Sequence, residues 1–303
     1  MKKLPNKKII LSVVILNYNA GKHLEKLYDS LCKSKLINQI EIILADNNST
    51  DGSFTLINNH GYFHPKINFI FNKNKFNKGF AWGNNQGLKK SSPQSKYVLF
   101  LNPDTTVEPN TLQGMIDYFE KNSQIDAATC YVKLAATGKL QPECHRGFPT
   151  PWNAFKYFFL PFLSNSYILN KDFTQLQTID CCVGAFFMMK RGVGESVGWW
   201  NEKYFFYGED LDFCYKIKQN NYQLFFIPDY KITHYQGISS GLKKTKNNAS
   251  RQTKSQSAIA STNAMRIFYQ ENLIKNYSPF WQWIIWQGIN LLEFYRLFKA
   301  KYL

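Results

Sequence analysis

A chain of 303 residues with 44% hydrophobic and 17% aromatic content can bury one large core or two small ones. Its mean hydropathy of -0.36 is that of a soluble globular protein. The formal charge of +16 points to an anionic partner: nucleotide phosphates, an acidic membrane surface or nucleic acid.

The first hundred residues alternate strand and helix signals. Residues 9–16 read as a buried strand, and Leu24, Leu27 and Leu31 repeat at helical spacing behind it. Lys2, Lys3, Lys7 and Lys8 make this start imitate a signal peptide. The apolar run is short and β-branched, however, and Asn17-Tyr18-Asn19 follows it in place of a small-residue cleavage site. A second strand over 40–45 ends at Asp46-Asn47-Asn48-Ser49-Thr50-Asp51-Gly52, a third covers 67–71, and 79–90 is helical. Tyr97-Val98-Leu99-Phe100-Leu101 is a strand buried on both faces, halted by Asn102-Pro103. Glu108-Pro109 opens a helix with Leu112, Met115, Ile116 and Phe119 facing inward. This βαβ alternation predicts an α/β fold with a doubly wound, mostly parallel sheet.

The second half is less regular. Residues 148–169 are aromatic and broken by proline, and no element is assigned there. A buried strand is expected over 179–189, a helix over 208–218 and a closing strand over 223–227. The segment 241–258 holds Lys243, Lys244, Lys246, Arg251 and Lys254 without an acid, the composition of a mobile loop. From 280 to 303, Trp281, Ile284, Ile285, Trp286, Ile289, Leu292 and Leu297 are interrupted by Gln287, Asn290, Glu293 and Arg296. That polar stripe disfavours a spanning helix. Two readings stay open: an amphipathic helix on an anionic membrane, or a helix packed on protein. The expected organisation is a domain over 1–240, a basic loop over 241–258 and a helical tail over 259–303.

Six cysteines show no Cys-x-x-Cys pair or zinc spacing, so a reduced, cytoplasmic chain is expected, peripheral at the inner face of the cell membrane. The end of the first strand carries Asn17 and Asn19 but no Gly-x-Gly-x-x-Gly, which argues against a dinucleotide-binding dehydrogenase. Asp46 lies where such sheets place an acid to bond a ribose or base, and an Asx-turn there is compatible with binding. Asn77, Gly79, Asn84, Asn85 and Gly87 form a cluster able to grip a diphosphate or base, or serve only loop chemistry. Asp104 sits just past the carboxyl end of a buried strand, as a ligand for a divalent cation or a sugar, or as the cap of a turn. Glu209, Asp210 and Asp212 open a helix, where the macrodipole alone favours acids. The aromatic run before them includes Trp199 and Trp200, which would desolvate a carboxylate as a general base requires and are assigned to acceptor binding. His234 follows the last strand.

Taken in order, Val14-Ile15-Leu16-Asn17-Tyr18-Asn19, Asp46 to Gly52, Asn102-Pro103-Asp104, Gly184-Ala185-Phe186, Gly208-Glu209-Asp210-Leu211-Asp212 and His234-Tyr235-Gln236-Gly237 resemble the inverting glycosyltransferases of family two. The resemblance spans about residues 12–240 and is nearest to bacterial rhamnosyltransferase-like members. It implies a GT-A fold and transfer of a sugar, rhamnose among the candidates, from a UDP- or dTDP-linked donor to a hydroxyl of a glycan or lipid-linked acceptor. Asp46 would contact the base, with Asn17, Asn19, Asn77, Gly79, Asn84, Asn85 and Asn102 around the nucleotide sugar. Asp104 and His234 would hold Mg²⁺ or Mn²⁺ on the diphosphate, and Asp210, with Glu209 beside it, would deprotonate the acceptor. Asn102 replaces the first acid of the usual Asp-x-Asp, and Asn84 replaces an arginine. A sugar-phosphate nucleotidyltransferase is the rival, but it wants a Gly-rich basic loop after the first strand. Nucleic acid is not expected as a partner, because no recognisable module carries the basic residues.

Overall fold

The computed structural model describes residues 8–55, 67–145, 147–160, 172–235 and 251–302. Its centre is a parallel array ordered β3-β2-β1-β4: β1 (Leu11–Asn17), β2 (Ile40–Asp46), β3 (Asn68–Lys73) and β4 (Tyr97–Leu101). Every residue of β1, β2 and β4 is buried, as their unbroken apolar runs require. Alternate side chains feed two cores. Val13, Ile15, Ile42 and Leu99 join one layer with Leu24, Leu27 and Leu31 of α1 (Lys22–Cys32). Val14, Ile43, Val98 and Phe100 join the other. On that second face α2 (Phe80–Leu88) sits so close that a Cβ on Gly83 or Gly87 would press into Leu16 or Val14. Those two glycines seat a helix on the sheet.

Beyond β4 come β5 (Thr105–Val107), α3 (Thr111–Lys121), β6 (Ala127–Leu134), α4 (Pro151–Phe159), β7 (Gln177–Thr178), β8 (Phe186–Lys190), α5 (Arg191–Val197), α6 (Glu209–Gln219) and β9 (Leu224–His234). The sheet continues β4-β8-β6-β9-β5, with β7 also on β9. β8 runs antiparallel to both β4 and β6, and β9 runs parallel to β6. The fold is α/β with a large, mostly parallel sheet.

Three elements differ from the sequence reading. The strand expected over 179–189 is confined to Phe186–Lys190, because Ile179, Cys181 and Cys182 are buried as loop in the second core. β9 does not stop at Ile227. Its pairing with β6 jumps from Cys130↔Ile227 to Tyr131↔Lys231, so Pro228, Asp229 and Tyr230 bulge out and the ladder resumes as far as His234. α4 occupies the unassigned region, started by Thr150, whose side chain accepts from the Asn153 amide, and by Pro151 in its first turn.

The tail is a helical hairpin of α7 (Arg251–Phe268) and α8 (Pro279–Tyr302). α7 starts inside the segment expected as a linker, so 251–258 is helical, while 236–250 lies outside the described residues. Thr262 and Arg266 of α7 donate to Glu293 of α8 at 2.6 and 2.5 Å, and Arg296 donates to Ser261 at 2.6 Å. Ala264, Phe268, Tyr269 and Leu273 belong to the same core as Phe213 and Cys214 of α6. The tail is therefore continuous with the main domain.

Candidate active site

The carboxyl ends of β1 and β2 are laced together by amides and carboxylates. Asn17 donates to Asp46 Oδ1 (2.7 Å), Ser49 and Ser53. Asp46 also takes the Ser49 hydroxyl (2.6 Å) and amide (3.0 Å), and it is wholly buried. Asn19, at φ +54, accepts from the Thr50 and Asp51 amides. These residues shape the loop over which a ligand would lie. Asp46 thus sits at the centre of this loop, its oxygens held by Asn17 and Ser49.

Asn47, which sequence reasoning passed over, joins this loop to the next. Its Nδ2 donates to Asn77 Oδ1 (3.2 Å) and the Gly79 carbonyl (3.0 Å), and its Oδ1 accepts from Asn74 (2.9 Å). Gly79 has φ +94, and a Cβ there would lie 2.3 Å from the carbonyl oxygen of Phe205. That carbonyl accepts from the Phe80 amide at 3.2 Å. The segment leaving β3 is thereby fastened to the one that opens α6, which brings Asp210 to the carboxyl edge of the sheet. Asn84 and Asn85 do not face that edge. Asn84 is buried and bonds the Phe80 carbonyl of its own helix, while Asn85 donates to the Trp200 carbonyl and Glu202. Gly87 of the same helix packs on Val14 of β1.

Asp104 is buried in the turn between β4 and β5, where Thr105 pairs with His234 and the Asp104 carbonyl accepts from the Tyr235 amide at 2.9 Å. That pairing brings His234 Nε2 to 3.3 Å from Asp104 Oδ1. On the other side of the ring, Nδ1 lies 2.7 Å from Gln141 Oε1. The ring therefore lies between Gln141 and the carboxylate, one nitrogen toward each. A carboxylate and an imidazole nitrogen at that separation are a donor pair suited to a divalent cation. Asn102 stays half-buried beside them, its carbonyl holding the Thr105 hydroxyl at 2.7 Å. Among the described residues no group of three or more His, Cys, Asp or Glu could hold a metal. The donor set thus fits a cation that takes most of its ligands from phosphate and water.

His23 and Tyr235 adjoin this pair, their rings 4.9 Å apart. Burial, then Lys26, pushes the His23 imidazole below its ordinary range, while the Asp104 carboxylate pulls it up. No motif in the sequence marked His23, since it comes into place only through the fold.

At the start of α6 the three acids divide. Asp212 is buried, accepting from Asn272 (2.8 Å) and Tyr204 (3.4 Å) and pairing with Lys216 (2.8 Å), so it anchors the tail. Glu209 and Asp210 are half-buried, and Asp210 Oδ1 accepts from the Leu211 amide. The tryptophans expected to bind acceptor stand in the packing beside this helix. Trp200 is 2% exposed and wedged edge-on among Phe80, Phe100 and Phe213. Trp199 lies over Gly194 and Phe100. Large apolar rings beside a strand of the same character are core first. The exposed aromatics flanking Gly79 are Phe76 (63%) and Phe205 (59%).

The model of glycosyl transferase family 2 matches residues 12–198, more than half of the chain. The chain belongs to glycosyl transferase family 2. Among curated relatives, rhamnosyltransferase WbbL of Escherichia coli K12 is 25% identical over 162 residues, 52% of this chain and 61% of the relative. The N-acetylglucosaminyl-diphospho-decaprenol L-rhamnosyltransferase of Mycobacterium tuberculosis is 20% identical over 256 residues, 77% of this chain and 78% of the relative. In fold, the chain matches the mannosyltransferase PcManGT of Pyrobaculum calidifontis, solved with GDP-Man and Mn²⁺. The TM-score is 0.60 at 16% identity, covering 98% of this chain and 74% of that one. The match confirms the expected GT-A architecture.

Proposed function

We propose that this transferase moves a sugar, with inversion, from a nucleoside diphosphate sugar to a hydroxyl of a glycan or lipid-linked acceptor during cell-surface polysaccharide synthesis. The observation that carries the reading is the buried Asp104–His234 pair, 3.3 Å apart at the carboxyl edge of the sheet, with α6 opening on the same edge. A relative named for rhamnosyl transfer to a lipid diphosphate makes rhamnose on a UDP- or dTDP-linked donor the first sugar to try.

Asp104 and His234 would hold Mg²⁺ or Mn²⁺, which when bound neutralises the negative charge growing on the leaving diphosphate. Gln141 orients the His234 ring so that Nε2 stays available. Asn17, Asn19, Asp46 and Asn47 hold the loops that cradle the nucleotide. Asp210 takes the proton of the acceptor hydroxyl as its oxygen attacks the anomeric carbon, with Glu209 adding negative potential. Inversion needs one base and no covalent nucleophile. Phe205 and Phe76 present the aromatic faces on which an acceptor sugar stacks.

The test is incubation with UDP-, dTDP- and GDP-sugars and glycan or lipid-linked acceptors, reading nucleoside diphosphate release and the anomeric configuration of the product by NMR. Asp210→Asn is expected to retain donor binding and lose transfer by roughly two to four orders of magnitude. Pyrophosphate release from a nucleoside triphosphate and a sugar phosphate would indicate the nucleotidyltransferase reading instead, which family membership disfavours.

A further inference from the structure

Between α4 and the hairpin lies a groove of about 560 Å³, walled by Trp152 and Phe155 on one side and Met265, Trp281, Ile285 and Leu292 on the other. Trp152 (62% exposed) and Phe155 (45%) stack at its rim, rings 5.7 Å apart and nearly parallel. The apolar surface continues past the groove. Phe280, Leu291, Phe294 and Phe298 are half or more exposed and recur on one face of α8 at three-, four- and eleven-residue spacing. The opposite face, with Ile285, Trp286 and Ile289, packs against the domain. A helix already packed on one side has no need of so many aromatic rings on the other, and an exposed patch of this kind marks an interaction surface.

Charge identifies what covers it. Residues 241–303 contain ten lysines and arginines (Lys243, Lys244, Lys246, Arg251, Lys254, Arg266, Lys275, Arg296, Lys299, Lys301) against Glu271 and Glu293, a net +8, half of the whole chain's +16 in about a fifth of its length. Lys299 and Lys301 stand in the last turn of α8, beyond Phe298, and Lys156 lies over the Trp152 ring at 5.4 Å. Tryptophans, an amphipathic helix and an excess of lysine in one segment are the composition of a surface for anionic lipid. Among the described residues no helix is long and apolar enough to cross a membrane.

We propose that α4 and the outer face of α8 together form a docking surface for an anionic bilayer, the groove between them taking lipid chains. The rings enter the headgroup boundary, and Lys156, Lys299 and Lys301 lie on the headgroups. Because α7 contacts Gly208 through Ala264 and Asp212 is bonded to Asn272, the same hairpin holds the opening of α6 at a set place relative to that surface.

Co-sedimentation of the full chain with vesicles of phosphatidylglycerol and phosphatidylcholine, against phosphatidylcholine alone, tests this. Binding is expected to be at least tenfold tighter on the anionic vesicles, to weaken with salt, and to fall about fivefold when Lys299 or Lys301 is changed to Gln. Leu291→Glu with Phe294→Glu should abolish it while thermal unfolding and nucleotide-sugar binding stay at parent values, because both side chains point away from the core. Trp152→Glu, on α4, should weaken it independently. Equal affinity for both vesicle types at low salt, or undiminished binding of the double variant, overturns the proposal. So does a dimer seen by ultracentrifugation that the same substitutions dissolve, with no vesicle binding. Failure here leaves the transfer reading standing, since donor binding is read in parallel.

Discussion

At Asp104 the chain has one carboxylate where an Asp-x-Asp pair would supply two, and the His234 imidazole lies 3.3 Å away. A cation held by so few protein groups must be completed by the donor's phosphates. Metal and nucleotide sugar are therefore expected to bind cooperatively, with about 5- to 150-fold tighter donor binding in the presence of Mn²⁺, a coupling of about 1–3 kcal/mol. Calorimetry should find that coupling erased in Asp104→Ala, and equal donor affinity with and without Mn²⁺ in the parent would contradict it. Phe205 offers a second test. Its backbone carbonyl holds Phe80 while its ring is exposed, so Phe205→Ala removes the ring and leaves the tether. The KM for acceptor should rise about two- to twelvefold, the range of an aromatic contact, with donor affinity unchanged. An unchanged acceptor KM would take Phe205 out of the site.

At the scale of elements, the hairpin is tied by a small polar network that titrates. The Thr262 hydroxyl and then Arg266 hold the Glu293 carboxyl below its ordinary 4.5, against an opposing push from burial. A carboxylate more acidic in the fold than in the unfolded chain stabilises the fold fully above pH 4.5. That contribution is lost as the pH falls through the folded value. Acidification below pH 4.5 is thus expected to loosen α8 from α7, and Glu293→Gln should flatten the dependence of thermal stability on pH between 3 and 5. Identical slopes in the two proteins would mean that the pair, which is partly exposed, contributes too little to register. Elements are also where the sequence reading slipped. Pro228 ended the predicted strand at 227, yet a three-residue bulge carries β9 on to His234. A local rule about proline was overridden by pairing with β6, and that override is what delivers the imidazole to Asp104.

For the whole molecule, the tail completes the core that it was expected to sit beside. Ala264, Phe268, Tyr269 and Leu273 pack with Phe213, Cys214 and Ile217. Fully burying a large apolar side chain contributes about 1.5–3 kcal/mol, so losing several of these approaches the 5–15 kcal/mol that holds a typical domain together. A chain ending at residue 250 is expected to lose its cooperative thermal transition or melt far below the parent, and an unchanged transition would show that the hairpin is an independent appendage. What the sequence determined unaided was everything carried by contiguous pattern: the four parallel strands, their apolar runs unbroken because both faces are covered, and the ordered blocks that mark family 2. Tertiary structure decided which of the marked side chains face the site. Trp200 lies in a stretch marked for the site, but its ring fills the space beneath α2. His23 and Gln141 show the reverse, unremarkable in sequence and adjacent to the Asp104–His234 pair in space. The reason is geometric. Strand and helix periods are written in neighbouring residues, whereas the direction of a side chain at a strand's end depends on the loops that lie across it.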